Sequence, residues 1–584
     1  MPFSTAPPER PLASPGPKAR LSRRAAPEDE TDPEQTEAAW TAPPLLLLIV
    51  SLIPFWLLPL SHLASSPMTA TGFYHEELPY YMANGRAAFE RGNGFLYANP
   101  YDPDRAAPAI YGHWLLWGLG LPAARLNLDP GDVLMAATFF GSLAFAAMTW
   151  KLVGLRSVAG SSALAYLFAM WGGGLLASAG FAASLLGVTD PISSLLQFDP
   201  GKGLWFLNWG RNAVFATEAV YHVLVAGCWC CEMRGRRLRG TLWCAALATT
   251  HPWSGLELLL TLNLWRTVQL ATRRDRAAWC FSVLAGIMLV AFLGYYRIWL
   301  PCFEHHRRLQ DVWELDWSLS WFSAALAYTP VLIPAAARLL AALPGASEVG
   351  PESAPDSPTG KMPALSATVA HPLTAAEQFL VCALIVATGL VFHDRVMKPV
   401  QPLHFTRGYI WMPLFLIGLP TLQTLWQKIS ARSLTLRVPA LGLFLLLLTD
   451  NGVFAVVHSQ WLWLGQRGYH LTVDDRAVLR ELHQRFPGAV VLTESEVLNY
   501  LLPTFANIRP WIWHPFNTPE IERRRTAMAR VFRGDTVDPE AIPAEVDLLL
   551  VQSSRNVRPL VESGRWVALN GGNATWSVWG QAAD

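Results

Sequence analysis

Long apolar runs recur from Pro44 to Val457, and after about Gly465 they give way to short apolar stretches between polar turns. A helix needs roughly 20 apolar residues to cross the hydrocarbon core of a bilayer. Val133–Val153, Ala277–Leu300 and Val438–Val457 reach that length, and Leu45–Leu60 reaches it with its flanks. The pattern predicts an all-α polytopic membrane domain over 44–464, followed by a small α/β domain over 465–584. In the latter, Thr472 is placed to cap a helix with apolar positions at Val478, Leu479, Leu482 and Phe486. AVVLT (489–493) and VDLLLV (546–551) read as buried strands, with further strands at RWVAL (565–569) and TWSVW (575–579).

Charge orients the membrane domain. Lys and Arg collect in cytoplasmic loops, and the basic clusters are Lys151–Arg156, Arg234–Arg239, Arg273–Arg276 and Lys428–Arg437. With these inside, the apolar runs give about nine full spans, outer loops at 64–110 and 187–212, an inner N-terminus and an outer C-terminal domain. The stretch 240–270 lies between two basic clusters and is too short for two crossings. It is expected to be a bent hairpin turning at Thr250-His251-Pro252, because proline breaks a helix and broken helices at membrane depth line cavities. Ala109–Leu121 is expected to dip into the outer leaflet. The arginines of FEHHRRLQD (303–311) fall on the outer side, offset by nearby Glu304, Asp311, Glu314 and Asp316.

Composition adds two linkers and removes some functions. Residues 1–43, rich in Pro, Ala and charge, read as a disordered cytoplasmic tail without the layout of a cleaved signal. Residues 344–373 hold six prolines and read as a flexible cytoplasmic linker. The chain is 52% hydrophobic and only 15% charged, against about 25% charged in a soluble domain. A net charge of +1 gives no pull toward nucleic acid. CWCC (228–231) sits at a membrane helix end and reads as membrane packing, so no cofactor is expected and no divalent metal is indicated.

Candidate chemistry concentrates in the first outer loop. Glu76 and Glu77 stand just outside the first span, where a carboxylate can take a proton from an acceptor hydroxyl. A solvated interfacial helix with a belt of Tyr and Trp explains the same residues. Glu76-Glu77-Leu-Pro-Tyr80, Asn99-Pro100-Tyr101 and Pro108-Ala-Ile-Tyr111 resemble motifs of the membrane glycosyltransferases of the GT-C fold. That superfamily has an acidic pair soon after the first span, commonly Asp-Glu-x-x-Tyr; here Glu76 replaces the commoner Asp. The resemblance implies Glu76 or Glu77 as base, with Tyr80, Asn99, Tyr101 and Tyr111 around the substrate. It also implies a polyprenyl-phosphate-linked sugar donor and an envelope glycan, lipid or protein acceptor at the outer face of the cytoplasmic membrane.

Cations and further acids are candidates for binding. Asp190, Asp199 and Arg211 in the second outer loop would hold the acceptor or the phosphate, or are merely solvated. His251 at the hairpin turn either caps the turn or faces substrate, since an ionisable group at membrane depth usually faces a cavity. Lys398, His404 and Arg407 would meet a lipid-linked phosphate, which Arg binds through two parallel hydrogen bonds, or anchor the interface by snorkelling. FEHHRRLQDVW offers a second such patch. RPWIWHPFNTPEIERRR (509–525) combines aromatics with His514 as an acceptor-facing loop or as a helix start at Thr518-Pro519.

Two other classes compete. A transporter or flippase would use the same polar cavity, but the sequence shows one hairpin and no matching second half. A non-enzymatic envelope assembly protein would bind a partner through its outer domain. Asp102-Pro-Asp104 is the one Asp-x-Asp in the outer loops and reads as a proline turn, which argues against a divalent ion.

Overall fold

The computed structural model describes residues 44–582 apart from 68, 158–161, 188–193, 274–275, 311–314 and 344–371, with side chains for all of these but 273, 276 and 277. The expected tail 1–43, Asp190 and nearly all of the 344–373 linker lie outside the described residues.

The membrane region is helical. α1 (Leu45–Ser65) leads into the first loop, which holds α2 (Glu77–Glu90), a short ribbon of β1 (Leu96–Tyr97) and β2 (Tyr111–Gly112), and α3 (Trp114–Arg125). Then come α4 (Pro130–Gly154), α5 (Ser162–Trp171), α6 (Leu176–Leu185), α7 (Ala216–Met233), α8 (Arg237–Ala248), α9 (Pro252–Arg273) and α10 (Arg276–Leu293). After a short α11 (Glu304–Gln310) the chain forms α12 (Trp321–Ala341), α13 (Ala375–Val391), α14 (Trp411–Ser430), α15 (Leu434–Leu447) and α16 (Thr449–Trp463). The bundle is built on α4 against α7, α12 against α14 and α1 against α16.

Four stretches are long and apolar enough to cross a membrane: Leu45–Ser65, Pro130–Gly154, Ala278–Cys302 and Trp321–Ala341. Two bent pairs, α5–α6 (54°) and α15–α16 (44°), raise the count to six if each is one span. By length and composition the chain is a multi-pass membrane protein. The expected count of about nine is not reached by these measures among the described residues. α13 is apolar but shorter, and α7 carries Glu218, His222 and Glu232, all buried inside the bundle.

The hairpin expected at 240–270 is present as α8 and α9, turning at 249–251. Pro252 opens α9, where a missing N–H costs nothing, and the His251 ring accepts the Ser254 backbone N–H at 3.2 Å. α3, expected to dip into the outer leaflet, lies on α2. Gly85 and Gly120 permit that approach, since a Cβ on Gly120 would fall 2.1 Å from the Gly85 carbonyl.

The C-terminal region carries α17 (Val473–Arg485), β3 (Val490–Thr493), α18 (Glu496–Phe505), β4 (Arg509–Pro510), α19 (Ile521–Val531), β5 (Leu548–Gln552), α20 (Arg558–Ser563), β6 (Trp566–Leu569) and β7 (Trp576–Gln581). The sheet order is β4-β3-β5-β7-β6. β4, β3 and β5 are parallel, whereas β7 runs antiparallel to β5 and to β6. Thr472 caps α17 in a reciprocal box with Asp475. This region is tied to the first loop by a strap: Thr71 donates to the Tyr469 carbonyl at 3.3 Å, Tyr469 to Phe73 at 2.9 Å and Leu471 to Thr69 at 2.7 Å.

Candidate functional site

The strap delivers the chain to the acidic pair. Glu76 is the last residue before α2 and is exposed; its carbonyl accepts a short hydrogen bond from the Tyr500 hydroxyl. Glu77 opens the helix, where an acid suits the positive end of the helix dipole. It is half-buried, and its carboxylate accepts from the Tyr81 hydroxyl at 3.1 Å. The two acids diverge. Glu76 lies within electrostatic reach of Arg467 and Tyr469. Glu77 lies within reach of His404, Arg407 and Tyr221.

His404 and Arg407 sit in the turn that precedes α14. His404 stacks flat on Trp253 of the hairpin, with ring centroids 5.0 Å apart and 13° between planes. The Arg407 side chain donates to the His404 carbonyl at 3.0 Å and meets its Nδ1 at 3.2 Å. Its remaining nitrogen is taken by a close ion pair with Glu218 in the first turn of α7. The Arg407 carbonyl is held by His222 Nε2 at 2.8 Å and by Asn212 at 3.1 Å. Arg407 is therefore a buried, partnered cation beside the Glu77 side of the loop. Glu218 was not singled out from the sequence. Its signal was an acid inside an apolar helix, which requires a partner at that depth.

His251 does cap its turn, and it also belongs to a chain of polar contacts. Its Nδ1 meets Ser254 Oγ at 3.0 Å, and Ser254 Oγ accepts from Tyr409 at 2.9 Å. Its ring stacks on Tyr221 at 4.3 Å, and the Tyr221 hydroxyl meets His113 Nε2 at 3.1 Å. The hairpin tip, the 402–409 turn and α7 thus meet beneath Glu77.

Asp199 and Arg211 lie elsewhere, at the crossing of the two broken spans. Arg211 donates to Asp199 at 2.5 Å, to Asn451 at 2.8 Å and to the carbonyls of Gly203 and Asp450 at 3.2 Å, and it rests on Phe454. Asp450 in turn accepts from Ala177 N at 2.8 Å at the start of α6. The arginine is fully enclosed, and these contacts knit the broken spans together.

Tyr80, Asn99 and Tyr101 form the seam with the C-terminal region. Asn99 donates to the Asn517 carbonyl at 2.6 Å and accepts from Tyr101 N at 3.0 Å. Tyr101 donates to the Tyr500 carbonyl at 3.2 Å. Tyr80 packs on His514 at 4.8 Å and on Tyr101 at 6.1 Å. His514 is enclosed by these rings, and burial pushes it down to about 3. Tyr111 pairs across the ribbon with Tyr97 and meets His306 Nδ1 at 3.1 Å. The neighbouring His305 meets Asp102 at 2.9 Å, so α11 docks on the first loop, while Arg308 is spent on Glu304 at the surface.

A second cationic group was missed from the sequence. Arg467 lies 4.2 Å over one ring of Trp461, and Lys202 lies 5.4 Å from the same indole. His458 bridges them, meeting the Lys202 carbonyl at 2.8 Å and Arg467 at 3.3 Å. His75 stands between this group and Glu76. Burial pushes it down to about 4, against the pull of the Glu76 charge, and Arg467 pushes it further down. Among the described residues no group of three or more His, Cys, Asp or Glu is arranged to hold a metal.

No family model matches the chain, and no curated protein matches it by sequence. Three solved structures overlay on most of it. An arabinofuranosyltransferase, AftD, from Mycobacteria aligns over 93% of this chain and 42% of its own, at 13% identity and a TM-score of 0.44. ArnT from Cupriavidus metallidurans in the apo state aligns over 92% and 98%, at 11% identity and 0.41. The oligosaccharyltransferase of Archaeoglobus fulgidus aligns over 92% and 74%, at 10% identity and 0.42. The chain spans less than half the length of the mycobacterial protein.

Proposed function

We propose that this protein is a membrane glycosyltransferase of the GT-C type. It moves a sugar from a polyprenyl-phosphate donor to an acceptor at the outer face of the cytoplasmic membrane. The observation that carries the reading is the placement of Glu77: a half-buried carboxylate, in contact with one tyrosine hydroxyl, within electrostatic reach of His404 and Arg407. Glu77 takes the acceptor hydroxyl proton as the acceptor oxygen bonds to the sugar's anomeric carbon. The bond from that carbon to the donor phosphate breaks, and its electron pair leaves with the polyprenyl phosphate. The developing phosphate charge is met by Arg407, with the His404 ring beside it, or by Arg467, within reach of Glu76, with Lys202 on the same indole. Preorganised charge of this kind is commonly the largest catalytic contribution.

The test is transfer from a short-chain polyprenyl-phosphate sugar in proteoliposomes. Glu77→Gln is expected to lower turnover by about 10²-fold or more, the range of a lost general base, and Glu76→Gln by less. Full turnover in Glu77→Gln would sink the assignment. A transporter reading draws on one specific observation, the two broken spans that cross at their breaks. Arg211 and its five partners fill that crossing, which favours a structural joint. Uptake of a lipid-linked sugar without covalent change would support the transporter instead.

A further inference from the structure

The two ends of α7 differ in chemistry. Its first residues abut the acidic loop, where Phe215 packs on His75 at 4.7 Å. Eighteen residues later, about 27 Å away at 1.5 Å per residue, the chain emerges as Arg234-Gly-Arg-Arg-Leu-Arg239. There a groove of about 650 Å³ opens between this turn and α10, lined by Gly235, Arg236, Arg237, Leu238, Arg239 and Phe281. Arg236 and Arg239 are exposed and have no carboxylate partner among the described residues. The acid closest in sequence, Glu232, is already paired with Arg266 at 2.5 Å.

Apolar surface runs away from the groove on both sides. Leu238 and Leu242 are exposed one turn apart on α8, and Trp279, Val283, Ile287 and Val290 form an exposed stripe at helical spacing on α10. Only 11% of the apolar stretch that includes this stripe is buried within the protein. An indole at the end of such a stripe suits the membrane interface. Guanidinium groups without a carboxylate partner among the described residues, over an open apolar groove, match one kind of occupant: an anionic headgroup with acyl chains attached.

We propose that this groove binds an anionic phospholipid, with the headgroup phosphate on Arg236 and Arg239 and the acyl chains along α8 and α10. Basic pockets between membrane helices bind such headgroups. The site lies at the far end of α7 from the candidate active site and does not depend on the glycosyltransferase reading. Purified full-length protein in neutral detergent is titrated with dioleoyl phosphatidylglycerol and with zwitterionic dioleoyl phosphatidylcholine, and adducts are read by native mass spectrometry. Phosphatidylglycerol is expected to bind about thirtyfold more tightly, the scale of two arginine contacts at a lipid surface. Arg236→Gln with Arg239→Gln removes that preference, whereas Arg523→Gln with Arg525→Gln on α19 leaves it intact. Equal retention of the two lipids overturns the proposal, as does a preference that survives Arg236→Gln with Arg239→Gln. Displacement of the lipid by inorganic phosphate at millimolar concentration also overturns it, because the site would then take the free ion.

Discussion

Arg407 carries two burdens that a single substitution confounds. It is within reach of Glu77, and it also neutralises Glu218, whose second oxygen is buried without a hydrogen bond. Arg407→Ala strands that carboxylate, a loss of about 3–5 kcal/mol for a broken buried pair. Arg407→Ala with Glu218→Ala is expected to recover most of the melting temperature in detergent but little of the transfer activity. Arg407→Lys is expected to restore activity only in part, since a point charge does not reproduce the planar fork. Recovery of both properties in Arg407→Ala with Glu218→Ala would make the arginine a structural counter-ion only. His514 gives a pH signature. It is held near 3 in the fold against 6.5 as a free side chain, so between those values the folded chain binds fewer protons than the unfolded one. Stability then rises with pH across this window and is lost as pH falls below about 6.5, by about 1.4 kcal/mol per unit at most. Thermal melts from pH 7 to 4 should show this slope, and His514→Gln should flatten it.

Among the elements, the two broken spans depend on small residues where they cross. Gly173 donates to the Leu447 carbonyl at 3.1 Å, and its own carbonyl accepts from Trp411 at 2.7 Å. A Cβ on Gly173 would fall 2.4 Å from Asp450 Cβ. Gly173→Ala is therefore expected to cost about 1–3 kcal/mol by overpacking, read as a lower melting temperature. Local signals of this kind differ in how far they can be read from sequence. The Thr472 cap, the Pro252 hairpin and the strands at 490–493 and 548–552 were legible because each is written within a few neighbouring residues. The crossing was not, because Gly172–Gly174 and Asp450 lie far apart in the chain and neither stretch announces the other. The same holds for Glu218 with Arg407 and for Lys202 with Arg467. Arg407 was singled out in the sequence without its partner, and Lys202 and Arg467 were not singled out at all, because the packing of distant helices sets both groupings.

For the molecule as a whole, the acidic loop is finished by the C-terminal region. Tyr500 holds the Glu76 carbonyl, Asn517 holds Asn99, and the Thr504 hydroxyl donates to Pro79 at 2.9 Å. Arg86 of α2 donates to the Thr504 carbonyl at 2.9 Å. Tyr80, Asn99 and Tyr101, the residues that the GT-C resemblance implies around the substrate, also form this seam, which no motif shows because a motif does not say what its residues touch in the fold. A chain ending at 464 is expected to insert into membranes yet to lose transfer activity, and its first loop should become protease-sensitive. Protection of that loop equal to the full chain would show that it orders by itself.

The strap between Thr69–Phe73 and Tyr469–Leu471 also orders events in time. The acidic pair leaves the ribosome early, but the residues that hold it in place follow about 400 residues later. At about 5–20 residues per second, the interval is on the order of tens of seconds. Throughout it the nascent protein has its first span and both acids but no assembled site. On the proposed reading, transfer activity is expected only once the last segment has folded against the first loop. A chain stalled or clipped before that point is expected to remain an unfinished helical bundle without transfer activity.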